Sequence, residues 1–142
     1  MSSGRIVPPG GGRRFRVGPN ELTVKASPES GHALAAVFES VLPPGGGYPV
    51  PHLHEEYEEV FYVLDGEIEY RIGDDWTVAT TGSTVCVPRG VVHAFRNVST
   101  FPARHLALHS PGAALAMIEE VGQAQDGQVE VILAQHRTRL RS

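Results

Sequence analysis

The sequence predicts an all-β fold in one domain, followed by a short helical extension at its C-terminal end. Three observations carry this. The chain has 142 residues with 16 glycines and 11 prolines, and these separate many short apolar runs, the pattern of strands joined by turns. Hydrophobic residues make up 41% of the chain, enough for one core, and this length favours a single domain. Only beyond Ser110 does the apolar spacing change to a repeat of three, which belongs to a helix.

Residues 1–14 hold Pro8-Pro9-Gly10-Gly11-Gly12 and are expected to be a flexible arm. Within it Ile6-Val7 is an apolar patch that could pair with a second chain. The barrel is expected over 15–110. Phe15 to Val17 and Glu21 to Lys25 are short strands, divided by Gly18-Pro19-Asn20, and Ser27 to Gly31 is a loop. Ala33 to Leu42 is a longer strand with mild alternation. Pro43-Pro44-Gly45-Gly46-Gly47 turns the chain into a strand carrying His52 and His54. Glu59 to Leu64 and Glu67 to Ile72 flank Asp65-Gly66, a hairpin signal. Gly73-Asp74-Asp75 is the next turn and Trp76 to Ala79 the next strand, with Trp76 at the rim. Ser83 to Val87 is a strand containing Cys86, which the apolar run marks as a buried core residue. Pro88-Arg89-Gly90 turns the chain toward a strand starting at His93, and Ala103 to His109 is the last strand.

The extension is expected over 111–142. Ser110-Pro111 reads as a helix start, with serine as cap and proline in the first turn. Leu115, Ile118 and Val121 form the helix stripe and Gly122 ends it. Gln128 to Leu140 fits either period: Val129, Ile132, Leu133, His136 and Leu140 as a helix, or Val129, Val131 and Leu133 as a strand. The helix is preferred, with Asp126 as cap and Arg137, Arg139 and Arg141 at its negative end.

Two stretches carry chemistry. The first reads His-x-His-x4-Glu-x6-Gly from His52 to Gly66. Residues two apart on a strand face the same side, about 6 to 7 Å apart, so His52 and His54 project together while Leu53 points away. The second reads Gly-x5-Pro-x-Gly-x2-His-x3-Asn from Gly82 to Asn97. Three imidazoles and a carboxylate suit a divalent first-row metal, whether iron, nickel, manganese, cobalt, copper or zinc. Glu55, Glu56 and Glu58 crowd the same turn as Glu59. They read as a solvated acidic turn, and Glu58 would compete if the turn differed by one residue. Phe95 shares a face with His93, and Phe61 with Glu59. Tyr48 and Tyr57 lie near the histidines and are expected to shape the pocket entrance. These four aromatics are the candidate substrate-pocket residues. Asn97 is expected to tie down a strand end.

Both stretches resemble the two signature motifs of the cupin superfamily. The likeness covers the central region, roughly His32 to His109. Gly47 sits closer to His52 than the family pattern places its leading glycine, whereas the second stretch matches at every fixed position. The resemblance implies a double-stranded β-helix, the cupin jelly-roll barrel, with one copy of each motif and so a single barrel. It makes His52, His54, Glu59 and His93 the metal ligands. His105 and His109 share a face but lack a second motif and are read as non-ligands. A homodimer is also what the family implies.

The layout is similar to the single-barrel quercetin dioxygenase-like group. That similarity implies a metal-dependent dioxygenase acting on a small enol or aromatic substrate, with Glu59 a ligand able also to take a proton from the substrate. Two other readings use the same residues. One is an oxygen-independent isomerase, cyclase or decarboxylase; the other is a barrel that binds a small molecule without turnover. Other partners are not expected. A net charge of −4 and a pI near 5.9 give no basic footprint for nucleic acid. No apolar run is long enough to span a membrane. One cysteine excludes an intrachain disulfide and, with no apolar signal segment, leads to the expectation of a cytoplasmic protein.

Overall fold

The computed structural model describes residues 4–30, 34–125 and 127–141. In chain order the strands are β1 (Arg13–Val17), β2 (Asn20–Ala26), β3 (Ala36–Leu42), β4 (Gly47–His54), β5 (Glu58–Asp65) and β6 (Glu67–Ile72). β7 (Asp75–Thr80), β8 (Thr84–Val87), β9 (His93–Arg96), β10 (Ala103–Ser110) and β11 (Thr138–Leu140) follow. Between β10 and β11 lie helices α1 (Leu115–Gln123) and α2 (Val129–Gln135). One antiparallel sheet has the order β1-β2-β3-β10-β5-β8 and the other β11-β4-β9-β6-β7. Two such sheets face to face make a jelly roll.

Strand alternation builds the core between the sheets. β2 buries Leu22 and Val24, β3 Ala36, Phe38 and Leu42, and β5 Phe61 and Val63, while Ile68 and Tyr70 face them from β6. Close backbone approach fixes the entry to β4. Gly47 has φ of +116°, and a Cβ there would lie 2.6 Å from the Phe95 carbonyl oxygen. Asn20 holds the same point, accepting from the Gly47 N–H at 2.8 Å and donating to its carbonyl at 3.0 Å. At the far end of β9, Asn97 donates to the carbonyls of Leu42 and Phe101 and accepts from Ser99, the strand-end role its position suggests.

The extension differs most from expectation. Ser110 is not a helix cap: it ends β10, and its hydroxyl donates to the Leu34 carbonyl at 2.9 Å. A 3-10 turn, Gly112–Ala114, comes before α1. Gly122 lies inside α1 and does not end it. A Cβ at Gly122 would meet the Arg16 carbonyl oxygen at 2.4 Å, so glycine allows the helix to lie against β1.

The preferred helix over Gln128 to Leu140 is overturned in its second half. α2 stops at Gln135, Arg137 turns the chain with φ of 53°, and β11 pairs antiparallel with β4, Thr138 opposite His54 and Leu140 opposite His52. The expected cap Asp126 lies outside the described residues, as does Ala33. Arg137 and Arg139 do not serve a helix end. They pair with Glu56 at 3.2 Å and Glu55 at 2.8 Å, so the acidic turn and the basic tail face each other at the surface.

Cys86 is exposed, not buried. β8 alternates, and Val87 takes the inward position while Thr84 and Cys86 face out. Trp76 packs at the rim, with the Arg96 guanidinium 3.9 Å over its ring. Among the described residues no helix is long and apolar enough to cross a membrane.

Candidate metal centre

Strand pairing brings the two sequence stretches together. In the smaller sheet β4 pairs with β9, and His52 lies directly opposite His93, their rings 4.2 Å apart. A register shift over Pro49 to Pro51 sets this alignment. Glu59 comes from β5 in the facing sheet. One ligand-type atom each from His52, His54, Glu59 and His93 falls within 4.8 Å of the others, and all four residues are buried. Glu58 points out and is exposed, which removes it as the competing carboxylate.

The hydrogen bonds aim the imidazoles inward. His52 Nδ1 lies 2.8 Å from the Val50 carbonyl and His93 Nδ1 2.9 Å from the Val91 carbonyl. A carbonyl only accepts, so both rings carry their proton on Nδ1 and present the Nε2 lone pair. His54 Nδ1 lies 2.7 Å from Thr138 Oγ1, whose own proton goes to Met117 Sδ at 3.2 Å. All three histidines therefore have the tautomer a metal needs, held by outer partners as in known metal sites.

The unpartnered atoms point the same way. His93 Nε2 and Glu59 Oε2 are 2.6 Å apart, yet neither makes a hydrogen bond. Two lone pairs so placed repel unless a cation lies between them. An ion with bonds of about 2.1 Å keeps its ligand atoms roughly 3 to 4 Å apart. The four ligand-type atoms lie within 4.8 Å of one another, the His54–Glu59 pair at 3.2 Å and the His93–Glu59 pair closer than an ion would leave it. The residues thus fit a divalent metal held by three histidines and one glutamate.

Protonation states agree with that fit. Burial, helped by the neighbouring His93 and His54, pushes His52 down to about 3. Burial also lowers His54, against the pull of Glu59. Burial would lower His93 as well, but Glu59 is nearer to it than to His54 and the balance is upward. For Glu59 burial acts to raise the carboxyl, and His109 with the other imidazoles outweighs it, leaving it well below the usual carboxylate range. The site holds an anion and mostly neutral imidazoles, which is the state that binds metal.

His52, His54 and Glu59 of the cluster line a cavity of about 100 Å³. All four candidate aromatics line it, but Tyr57 is not at an entrance. It is buried, stacks on His54 at 4.1 Å, and places its hydroxyl 3.1 Å from His54 Nε2. Tyr48 sets its ring edge-on to His52 at 4.9 Å. Phe61 and Phe95 lie 5.6 Å apart and form the apolar wall. Met117, Ile118, Val121 and Leu133 from α1 and α2 complete the lining.

Sequence reading missed two partners of the cluster. Thr138 orients His54 from 84 residues away, and nothing near Thr138 in sequence announces it. His109 and His105 lie outside the four-residue cluster. His109 is nonetheless opposite Glu59 in the β5–β10 pairing, fully buried, and has Nε2 2.6 Å from Glu59 Oε1. Its spacing from His105 was visible; the strand register that gives it meaning was not.

Comparison with known proteins agrees with this architecture. Quercetin 2,3-dioxygenase from Bacillus subtilis (strain 168) is 31% identical over 90 residues, 61% of this chain. The match spans only 26% of that enzyme. The polyketide cyclase RemF from Streptomyces resistomycificus superposes with a TM-score of 0.69 at 22% identity, covering 76% of this chain and 80% of RemF. A predicted oxalate decarboxylase from Thermotoga maritima gives 0.61 at 25% identity, covering 65% and 80%. The cupin domain family matches residues 38–109, half of the chain and all four residues of the cluster, and the chain belongs to that family.

Proposed function

We propose that this protein is a metal-dependent enzyme of the dioxygenase type, acting on a small planar organic molecule that carries an enol or phenolic oxygen. One observation supports this above all: three of the four cluster residues, His52, His54 and Glu59, line an aromatic-walled cavity, with His93 completing the cluster beside them. A structural metal site is closed by its ligands, whereas a catalytic one faces space for substrate. His52, His54, Glu59 and His93 would hold the ion, which supplies Lewis acidity toward substrate oxygens and a redox centre for dioxygen.

The chain's own groups supply the rest. Phe61 and Phe95, in contact with each other at 5.6 Å, form one apolar wall against which a flat ring can pack. Glu59 is held as a carboxylate and can accept the proton of an enol. The Tyr57 hydroxyl, kept protonated because burial raises it well above its usual range, can donate a hydrogen bond to negative charge developing beside His54. The partial match to the dioxygenase supports the choice of reaction.

The test begins with elemental analysis of protein purified without added metal or chelator. Oxygen consumption is then followed with flavonol-like and diketone-like compounds. Near-stoichiometric iron, nickel, manganese, cobalt or copper and substrate-dependent oxygen uptake are expected. Product formation that continues unchanged under strict anaerobiosis would replace this reading with an oxygen-independent isomerase, cyclase or decarboxylase. Protein that takes up no metal on reconstitution would overturn it.

A further inference from the structure

The cavity has a second polar group, away from the metal cluster. His105 lies on β10 four residues from His109, and His109 is opposite Glu59. That is about 13 Å along the strand. The ring of His105 is buried among aromatics: Phe61 stacks on it at 4.9 Å, and Phe95 lies at 5.1 Å. Ser40 faces it across the β3–β10 pairing. His105 and Ser40 line the same cavity as the cluster.

One hydrogen bond fixes the state of this ring. Tyr70 Oη lies 2.6 Å from His105 Nδ1, and Tyr70 is buried. If Nδ1 carried the proton, the tyrosine hydroxyl would have to accept, and its own hydrogen would be left without an acceptor among the described residues. Stranding a buried donor is costly. The favourable arrangement has the Tyr70 hydroxyl donating to Nδ1, so the imidazole proton sits on Nε2. No described protein group accepts from Nε2. Burial keeps the ring neutral, with its pKa lowered to about 3, so Nε2–H is its one remaining donor.

We propose that His105 is a substrate-positioning and specificity-determining residue, donating a hydrogen bond from Nε2 to an acceptor oxygen on the substrate end remote from the metal. The inference rests on the reading of the cluster as a metal site that chelates a planar substrate. It narrows the substrate class to flat molecules with metal-binding oxygens at one end and a carbonyl, carboxylate or similar acceptor at the other. An apolar far end would leave Nε2–H stranded among aromatic rings, and a site built around a buried donor rejects ligands that cannot use it.

Two probes of similar size separate the possibilities: 3,4-dihydroxybenzaldehyde, with a far carbonyl, and 4-methylcatechol, without one. Both are titrated calorimetrically into the zinc-loaded full chain, into His105→Phe and into Tyr70→Phe. The wild type is expected to prefer the aldehyde, and His105→Phe to lose about tenfold of that preference, the scale of one buried hydrogen bond. Tyr70→Phe should lose part of it, because the tautomer is no longer fixed. Nitrogen-15 NMR of the wild-type ring should show the proton on Nε2, a readout that needs neither ligand nor metal. A proton found on Nδ1, or equal preference in wild type and both variants, overturns the role of His105 and leaves the metal site standing. Binding of neither probe by the zinc-loaded wild type overturns the chelation reading and this inference with it.

Discussion

Replacing Thr138 by valine keeps the side-chain volume but removes the acceptor for His54 Nδ1. The bond is 2.7 Å long and buried, and β11 would retain its backbone pairing with β4. Two consequences follow. The metal-free protein loses about 1–3 kcal/mol of stability, the cost of a buried N–H left without a partner. The larger effect falls on the metal. Once Nδ1 is no longer bonded, the proton can move to Nε2, where Glu59 Oε2 at 3.2 Å and the Tyr57 hydroxyl at 3.1 Å can accept it. A ring protonated on Nε2 offers the metal nothing. Loss of such an outer hydrogen bond costs about 10- to 100-fold in metal affinity, or roughly 1.4 to 2.8 kcal/mol. Zinc affinity measured by chelator competition at fixed pH tests this, with Thr138→Ser as the control that restores the hydroxyl. An affinity for Thr138→Val within about twofold of wild type would refute the argument, because the tautomer would then be set by something other than β11.

Other expectations concern the cluster and its frame. His52→Ala and His93→Ala should each lower metal affinity by at least about a hundredfold, the upper end of what a lost outer bond costs; unchanged metal content by elemental analysis would remove them as ligands. In metal-free protein, His52 and His105 are held neutral down to about pH 3, while in the unfolded chain they titrate near 6.5. The unfolded state therefore binds more protons as pH falls through this window, and stability drops by up to about 1.4 kcal/mol per pH unit for each. The depressed Glu59 adds to this loss at pH below about 4.3, whereas the raised His93 acts the other way only above about 6.5, where the folded state holds the proton first, and its contribution is constant below that. The thermal midpoint should be lower at pH 5 than at pH 7, and equal midpoints would show that these rings are not held neutral. Gly122→Ala sets helix propensity, which favours alanine by about 1 kcal/mol, against a Cβ only 2.4 Å from the Arg16 carbonyl oxygen. The clash should win, because the obstructing atom is strand backbone, so a raised thermal midpoint would contradict the packing described.

Sequence made the barrel and the four-residue cluster legible because both are written in short-range chemistry. His52 and His54 share a face through strand periodicity, Gly90 and Pro88 mark a turn, and Asp65-Gly66 marks a hairpin; each needs only a few neighbouring residues. The failures have a different cause. Cys86 sits in an apolar run whose alternation turns it outward on an edge strand. Thr138 to Leu140 has apolar spacing compatible with helix, and it is pairing with β4 that makes it a strand. Gly122 looks like a helix stop until β1 is brought against it. In each case the deciding contact comes from another element, and local pattern does not contain it.

The same division runs through the site. The atoms that would touch the metal come from two compact stretches, but the groups that set their tautomer and charge do not. His54 depends on Thr138 and, through it, on Met117 of α1. Glu59 depends on His109, brought opposite it by β10. His105 takes its state from Tyr70, 35 residues away in sequence. The C-terminal extension therefore contributes to the cluster: α1 and α2 line its cavity, and β11 fixes one imidazole. A chain carrying both motifs but lacking β11 would keep four ligand-type residues while losing the bond that selects the His54 lone pair. A metal held in this barrel would be bound by the motif residues, and Thr138 on the strand after them would set how tightly.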